Sequence, residues 1–153
     1  MKKLFLFLAL FSAIALTIPC AEAESSSILV TEIDGPISSA TASRIDGAID
    51  VCEREGIDTL IVKINTDGGL VAALYSMIEA MENTDTIVVG YVTHRAFSAG
   101  AILLMGCDVA AMEPSTVLGS AHPVAISPFG TAPIDDNRTV DAFAEYAGAR
   151  AVA

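Results

Sequence analysis

Along residues 28–106, three apolar, β-branched runs each give way to a short turn and then to a segment with helical spacing. The runs are Ile28-Leu29-Val30-Thr31-Glu32-Ile33, Thr59 to Ile64, and Ile87 to Val92. Few folds accept that alternation. Continuous apolar strands joined through helices make a parallel α/β sheet with right-handed crossovers. The first helix has Ser38 or Ser39 as its cap, Ala42, Ile45, Ile49 and Cys52 on one face, and Gly56 as its stop. The second runs from Leu70 to about Asn83 with Leu74, Met77, Ile78 and Met81 inward, and the third from Ser98 to Gly106. Val109 to Met112 and Thr116 to Gly119 read as further short strands. Ser120 to Asn137, rich in Pro, Gly and Ser, reads as one long loop, and Thr139 to Ala153 as the start of a helix.

The chain's start reads as an address. Lys2 and Lys3 precede an apolar run from Leu4 to Ile18, and Ala21-Glu22-Ala23 has the small-x-small form of a cleavage site, so residues 1–23 are expected to be a secretory signal peptide. A retained anchor or a lipid on Cys20 are the alternatives. Residues 24–153 then form one domain with a real core. Residues 1–23 carry Lys2, Lys3 and Glu22, which leaves 6 basic and 18 acidic side chains and a formal charge of −12. Nucleic acid and anionic lipid are poor partners for such a surface, because both require clustered Lys and Arg. Cys52 and Cys107 sit in apolar patterns and are expected to be buried free thiols. No Cys/His spacing fits a metal, and no cofactor is expected.

Chemistry concentrates at two turns. Asn65-Thr66-Asp67-Gly68-Gly69 ends the second strand, and Ala96-Phe97-Ser98-Ala99-Gly100 follows the third, so both fall on the strand-end edge where α/β sheets bind ligands. Ser98 has two readings, a helix cap or a nucleophile whose hydroxyl faces the glycine turn. Gly68 and Gly69, with the Ala99 amide, have two as well: an ordinary strand-to-helix turn, or an oxyanion hole that needs close backbone approach. The stretch is not a nucleophile elbow of the α/β-hydrolase kind, since Ala96 stands at its first glycine.

Taken in order, Asp34-Gly35-Pro36-Ile37, Asn65-Thr66-Asp67-Gly68-Gly69, Ser98-Ala99-Gly100 and Leu118-Gly119-Ser120-Ala121-His122-Pro123 resemble the NfeD-type membrane-associated serine proteases. These are relatives of signal peptide peptidase A in the Clp/crotonase superfamily. The resemblance spans roughly Ile28 to Ala144. It implies a Clp/crotonase-like sheet, truncated at its C-terminus relative to the family, and an extracytoplasmic, membrane-associated endopeptidase. It further implies a homo-oligomer, dimer or larger, cutting apolar segments of a stomatin-like membrane partner. By the same resemblance Ser98 is the nucleophile, and Gly68 or Gly69 with Ala99 forms the oxyanion hole.

Two positions depart from the family pattern. Asp67 stands where proline is usual. The family's base is a lysine, and the matching position falls on Asn137 or Arg138. Asparagine has no basic nitrogen, and arginine does not deprotonate in a protein. Lys63, the only lysine after residue 23, lies mid-strand on a solvated face, and His94 reads as a solvated loop residue. His122 is the substitute base, with Asp135, Asp136 or Asp141 to orient it; its other reading is a structural loop histidine. A catalytically degenerate relative that binds an apolar peptide without cleaving it is therefore the alternative function.

Overall fold

The computed structural model describes residues 27–121 together with the backbone of 124–127 and 130–133. The expected signal peptide, His122, Asn137, Arg138, the three candidate orienting aspartates and the expected final helix lie outside the described residues.

The main sheet runs β1 (Ile28–Asp34), β2 (Thr59–Thr66), β3 (Ile87–Phe97) and β4 (Val109–Met112) in spatial order, all parallel, with β5 (Val117–Gly119) also pairing with β3. Helices α1 (Ser39–Glu55), α2 (Val71–Glu82) and α3 (Ala99–Met105) make the crossovers. Consecutive parallel strands never reverse direction across the sheet, so right-handed crossovers place every helix on the same face. Burial follows that rule. Leu60, Val62 and Ile64 of β2 and Val88 and Val92 of β3 are sealed under Ile45, Ile49, Leu74, Met77, Ile78 and Ile102. Fully burying such a side chain stabilises the fold by about 1.5–3 kcal/mol. The alternate residues, such as Val30 and Ile87, stay about half exposed.

The first helix forms as its spacing predicts. Ser38 and Thr41 make a reciprocal capping box, and Gly56 closes the helix at φ 66°. Elsewhere the sequence reading needs three corrections. β3 does not stop at Val92 but runs to Phe97, because Thr66 pairs with Ala96 on one side and β5 pairs with Arg95 to Phe97 on the other. His94 accordingly lies on a strand, exposed, rather than in a loop. Ser120 to Asn137 is not one long loop, since β6 (Val124–Ser127) and β7 (Gly130–Pro133) form an antiparallel hairpin.

Candidate active site

Ser98 terminates β3 with φ 50° and ψ −121°, in a backbone region that a non-glycine residue occupies only at a cost of about 1–3 kcal/mol. It stands at the N-cap position of α3, but its side chain does not cap the helix. A capping serine is extended and accepts a hydrogen bond from the first turn, whereas the Ser98 side chain makes no cap hydrogen bond with α3. The turn is instead held from both sides by its backbone. The Ser98 N–H donates to the Gly119 carbonyl at 2.9 Å, and the Ser98 carbonyl accepts from the Ala101 N–H at 3.0 Å. A sharp strand-to-helix turn of this kind presents the side chain at the sheet's edge. The residue is only partly buried there.

The glycine turn lies directly against it. A Cβ built on Gly68 would stand 2.7 Å from Ser98 Cβ and 3.2 Å from Ser98 Oγ, so only a hydrogen at that Cα lets the two segments meet. On its other side, Gly69 abuts Ile37, where a Cβ would overlap the Ile37 carbonyl oxygen. Ile37 donates its N–H to the Gly68 carbonyl and accepts from the Leu70 N–H, both at 2.9 Å. Asp34-Gly35-Pro36-Ile37 is thus the outer wall that pins the glycine turn. Asn65 Nδ2 donates to Asp34 Oδ1 at 2.7 Å and ties the two strand ends together.

The three backbone amides expected to form a hole are not equivalent. The Gly68 N–H donates to Thr66 Oγ1 at 3.0 Å, and Thr66 is buried. Among the described residues no acceptor faces the amides of Gly69 or Ala99. Gly68 therefore contributes its missing side chain rather than a free donor. Thr66 was not singled out from sequence; its place two residues before Gly68 is the signal that could have marked it.

Other polar groups near this edge are engaged. Lys63 reaches Glu32 Oε1 at 3.3 Å on the face without helices. Asp67 is held by Arg95, whose Nη2 donates to Asp67 Oδ2 at 3.0 Å and whose Nε lies 2.6 Å from Oδ1. Sequence spacing gave no sign of that pair. The rim carries apolar side chains in water: Leu70 and Val71 follow the glycine turn, and Val117 and Leu118 line β5. Cys52 and Cys107 are free thiols. Burial, with a smaller push from Asp108, raises the Cys107 thiol to about 12, so it stays protonated and non-nucleophilic at neutral pH. Among the described residues no cluster of His, Cys, Asp and Glu could hold a metal ion, and no helix is long and apolar enough to cross a membrane.

Known proteins with this architecture share a theme. The chain is 28% identical over 100 residues to the membrane-bound protease PH1510 of Pyrococcus horikoshii, a match covering 63% of this chain and 23% of that protein. It is 30% identical over 101 residues to the membrane protein NfeD1b of Bacillus subtilis, covering 66% of this chain and again 23% of the relative. The matched part is thus about a quarter of the curated relatives' length. Among solved structures, a lysine-to-alanine variant of the 1510-N membrane-bound stomatin-specific protease, in complex with a substrate peptide, superposes with a TM-score of 0.74. That likeness covers 82% of this chain and 59% of the other at 24% identity, and it establishes a shared ClpP-like α/β fold. The family model of the NfeD1b N-terminal domain matches residues 27–137, and the chain belongs to that family.

Proposed function

We propose that this domain is a serine endopeptidase of NfeD type, acting outside the cytoplasm on apolar segments of a stomatin-like membrane partner. The observation that carries the reading is Ser98. It is held at φ 50° with its side chain unused as a cap and Gly68 packed against its Cβ. Backbone strain of this kind is kept where it presents a reacting group.

In the proposed reaction Ser98 Oγ attacks the scissile carbonyl carbon, and its proton passes to His122. The carbonyl oxygen becomes an oxyanion that accepts hydrogen bonds from the Gly69 and Ala99 amides, with Gly68 leaving room for it. His122 then returns the proton to the departing amine, and water releases the acyl group by the same route in reverse. Each such amide is worth about 2.7–4 kcal/mol of transition-state stabilisation. Exposed Leu70, Val71, Val117 and Leu118 flank the serine and favour an apolar peptide. The relatives' description as membrane-bound and stomatin-specific supports the choice of partner, and homo-oligomeric assembly belongs to the same reading.

Asn137 and Arg138, at the position of the family's lysine, favour a second reading: a domain that keeps the groove and binds the peptide without cleaving it. A fluorophosphonate probe separates the two. Peptidase function predicts labelling of the wild type that Ser98→Ala abolishes and His122→Ala reduces by at least about a hundredfold. A folded wild type that stays unlabelled, yet retains an apolar peptide equally well with and without Ser98, overturns it. Under the binding reading Asn137→Lys or Arg138→Lys restores labelling.

A further inference from the structure

We propose that Arg95 and Asp67 form a positioning pair that sets the glycine turn against Ser98 and keeps a negative charge away from the oxyanion. This rests on the peptidase reading above and deepens it.

Asp67 is the residue immediately before Gly68, and Arg95 lies three before Ser98. The guanidinium grips both carboxylate oxygens, Nε at 2.6 Å from Oδ1 and Nη2 at 3.0 Å from Oδ2. A two-point fork fixes direction as well as distance, which a single contact cannot do. It acts beside an irregularity in the β2–β3 pairing. The β2–β3 register is regular from Thr59↔Ile87 to Ile64↔Val92, then shifts, and resumes only at Thr66↔Ala96. Thr93 Oγ1 bridges the irregular stretch with a long bond of 3.4 Å to the Ile64 carbonyl. Arg95 also belongs to the β3 segment that pairs with β5, at Val117. The fork therefore couples three pieces across the bulge: β5, the strand that delivers Ser98, and the turn that delivers the Gly69 amide.

Charge gives the pair a second effect. Asp67 stands two residues from the Gly69 amide, and an unpaired carboxylate there would oppose a developing oxyanion. Arg95 neutralises it while both side chains remain half-exposed or more. Such an exposed pair adds little to global stability, so its effect should appear in catalysis before it appears in unfolding.

The test compares wild type, Arg95→Ala, Asp67→Asn, the double variant Asp67→Asn/Arg95→Ala and Arg95→Lys in fluorophosphonate labelling, with inactivation rate and probe affinity separated. Arg95→Ala is expected to lower the inactivation rate about tenfold at unchanged probe affinity, since small displacements of catalytic groups cost one to two orders of magnitude. The double variant should recover part of that loss, because the uncompensated carboxylate is gone, and Arg95→Lys should be intermediate. A loss under twofold in Arg95→Ala, or a double variant as slow as the product of the two single effects, overturns the proposal. Amide hydrogen exchange at Gly69 and Ala99 gives a readout that needs no activity. Faster exchange there in Arg95→Ala, with α1 amides unchanged, supports the clamp, and unchanged exchange refutes it. A wild type that fails to label sinks the peptidase reading alone, and the exchange result then decides the clamp by itself.

Discussion

Gly68 and Gly69 are neighbours with different reasons for being glycine. At Gly68 the nearest atom to an added Cβ is Ser98 Cβ, at 2.7 Å, and the backbone sits at φ 105°. The obstacle is therefore the Ser98 side chain and the strand end that bears it. At Gly69 the obstacle is the Ile37 main chain, with the amide nitrogen 2.7 Å from the added carbon and the carbonyl oxygen nearer still. Main chain cannot move aside without breaking the two hydrogen bonds that Ile37 makes to the turn. Gly68→Ala is expected to cost about 1–3 kcal/mol of stability and to abolish Ser98 labelling while the protein remains folded. Gly69→Ala should cost more than Gly68→Ala, through overlap with backbone. Circular dichroism with urea unfolding ranks the two, and a Gly69→Ala protein as stable as wild type would refute the Ile37 packing. The identity of these glycines and of Ser98 was legible in the sequence, as was the strand-end position they share. The φ 50° backbone of Ser98 was not, because residue type does not encode a dihedral that tertiary pairing imposes. Nor was the Asp67–Arg95 fork, whose partners are separated by 28 positions.

The helices divide by how their first turns are satisfied. α1 begins at a capping box, with the Ser38 N–H donating to Thr41 Oγ1 at 2.8 Å and the Thr41 N–H donating to Ser38 Oγ at 3.4 Å. α2 and α3 begin at Leu70 and Ser98 with no side-chain cap at all. The uncapped ends are the two that lie at the candidate site, so their first-turn backbone donors are not taken up by a side-chain cap. Ser38→Ala is expected to lower unfolding free energy by about 1 kcal/mol or less, given its long bond. Thr41→Ala should cost about 1–2 kcal/mol, because it removes the shorter bond and leaves a gap at a buried position. A urea midpoint shift larger for Ser38→Ala than for Thr41→Ala would reverse that assignment. α1 was legible in detail since its apolar period, cap and terminal glycine agree. β3 beyond Val92 was not, because Thr93-His94-Arg95 is polar and becomes strand only through its neighbours on both edges. β6 and β7 escaped for a related reason: four-residue strands acquire their identity from pairing, not from composition.

At the scale of the molecule, the sheet separates a dry face from a wet one. Register aligns Val30, Ile61, Val89 and Val109 across four strands on the face without helices. Ile28 and Ile87 extend this apolar band, and Val30 and Val109 are 56% and 48% exposed. On the opposite face Val62 is 1% exposed. Valine and threonine are nearly isosteric, so exchanging them tests solvation with little change of volume. Val30→Thr and Val109→Thr place a hydroxyl where water already reaches and should each change stability by about 0.5 kcal/mol or less. Val62→Thr buries a hydroxyl among Ile64, Leu74 and their neighbours, at a cost of about 1–3 kcal/mol. Equal costs on the two faces would mean that the wet face is covered in the folded protein and that the one-sided architecture does not hold. The same comparison bears on function, because the site lies at the strand ends rather than on either face. Ser98 labelling in Val30→Thr and Val109→Thr should stay at the wild-type rate, since by register both residues lie level with Ile61 and Val89, several positions before the strand ends that carry the glycine turn and Ser98.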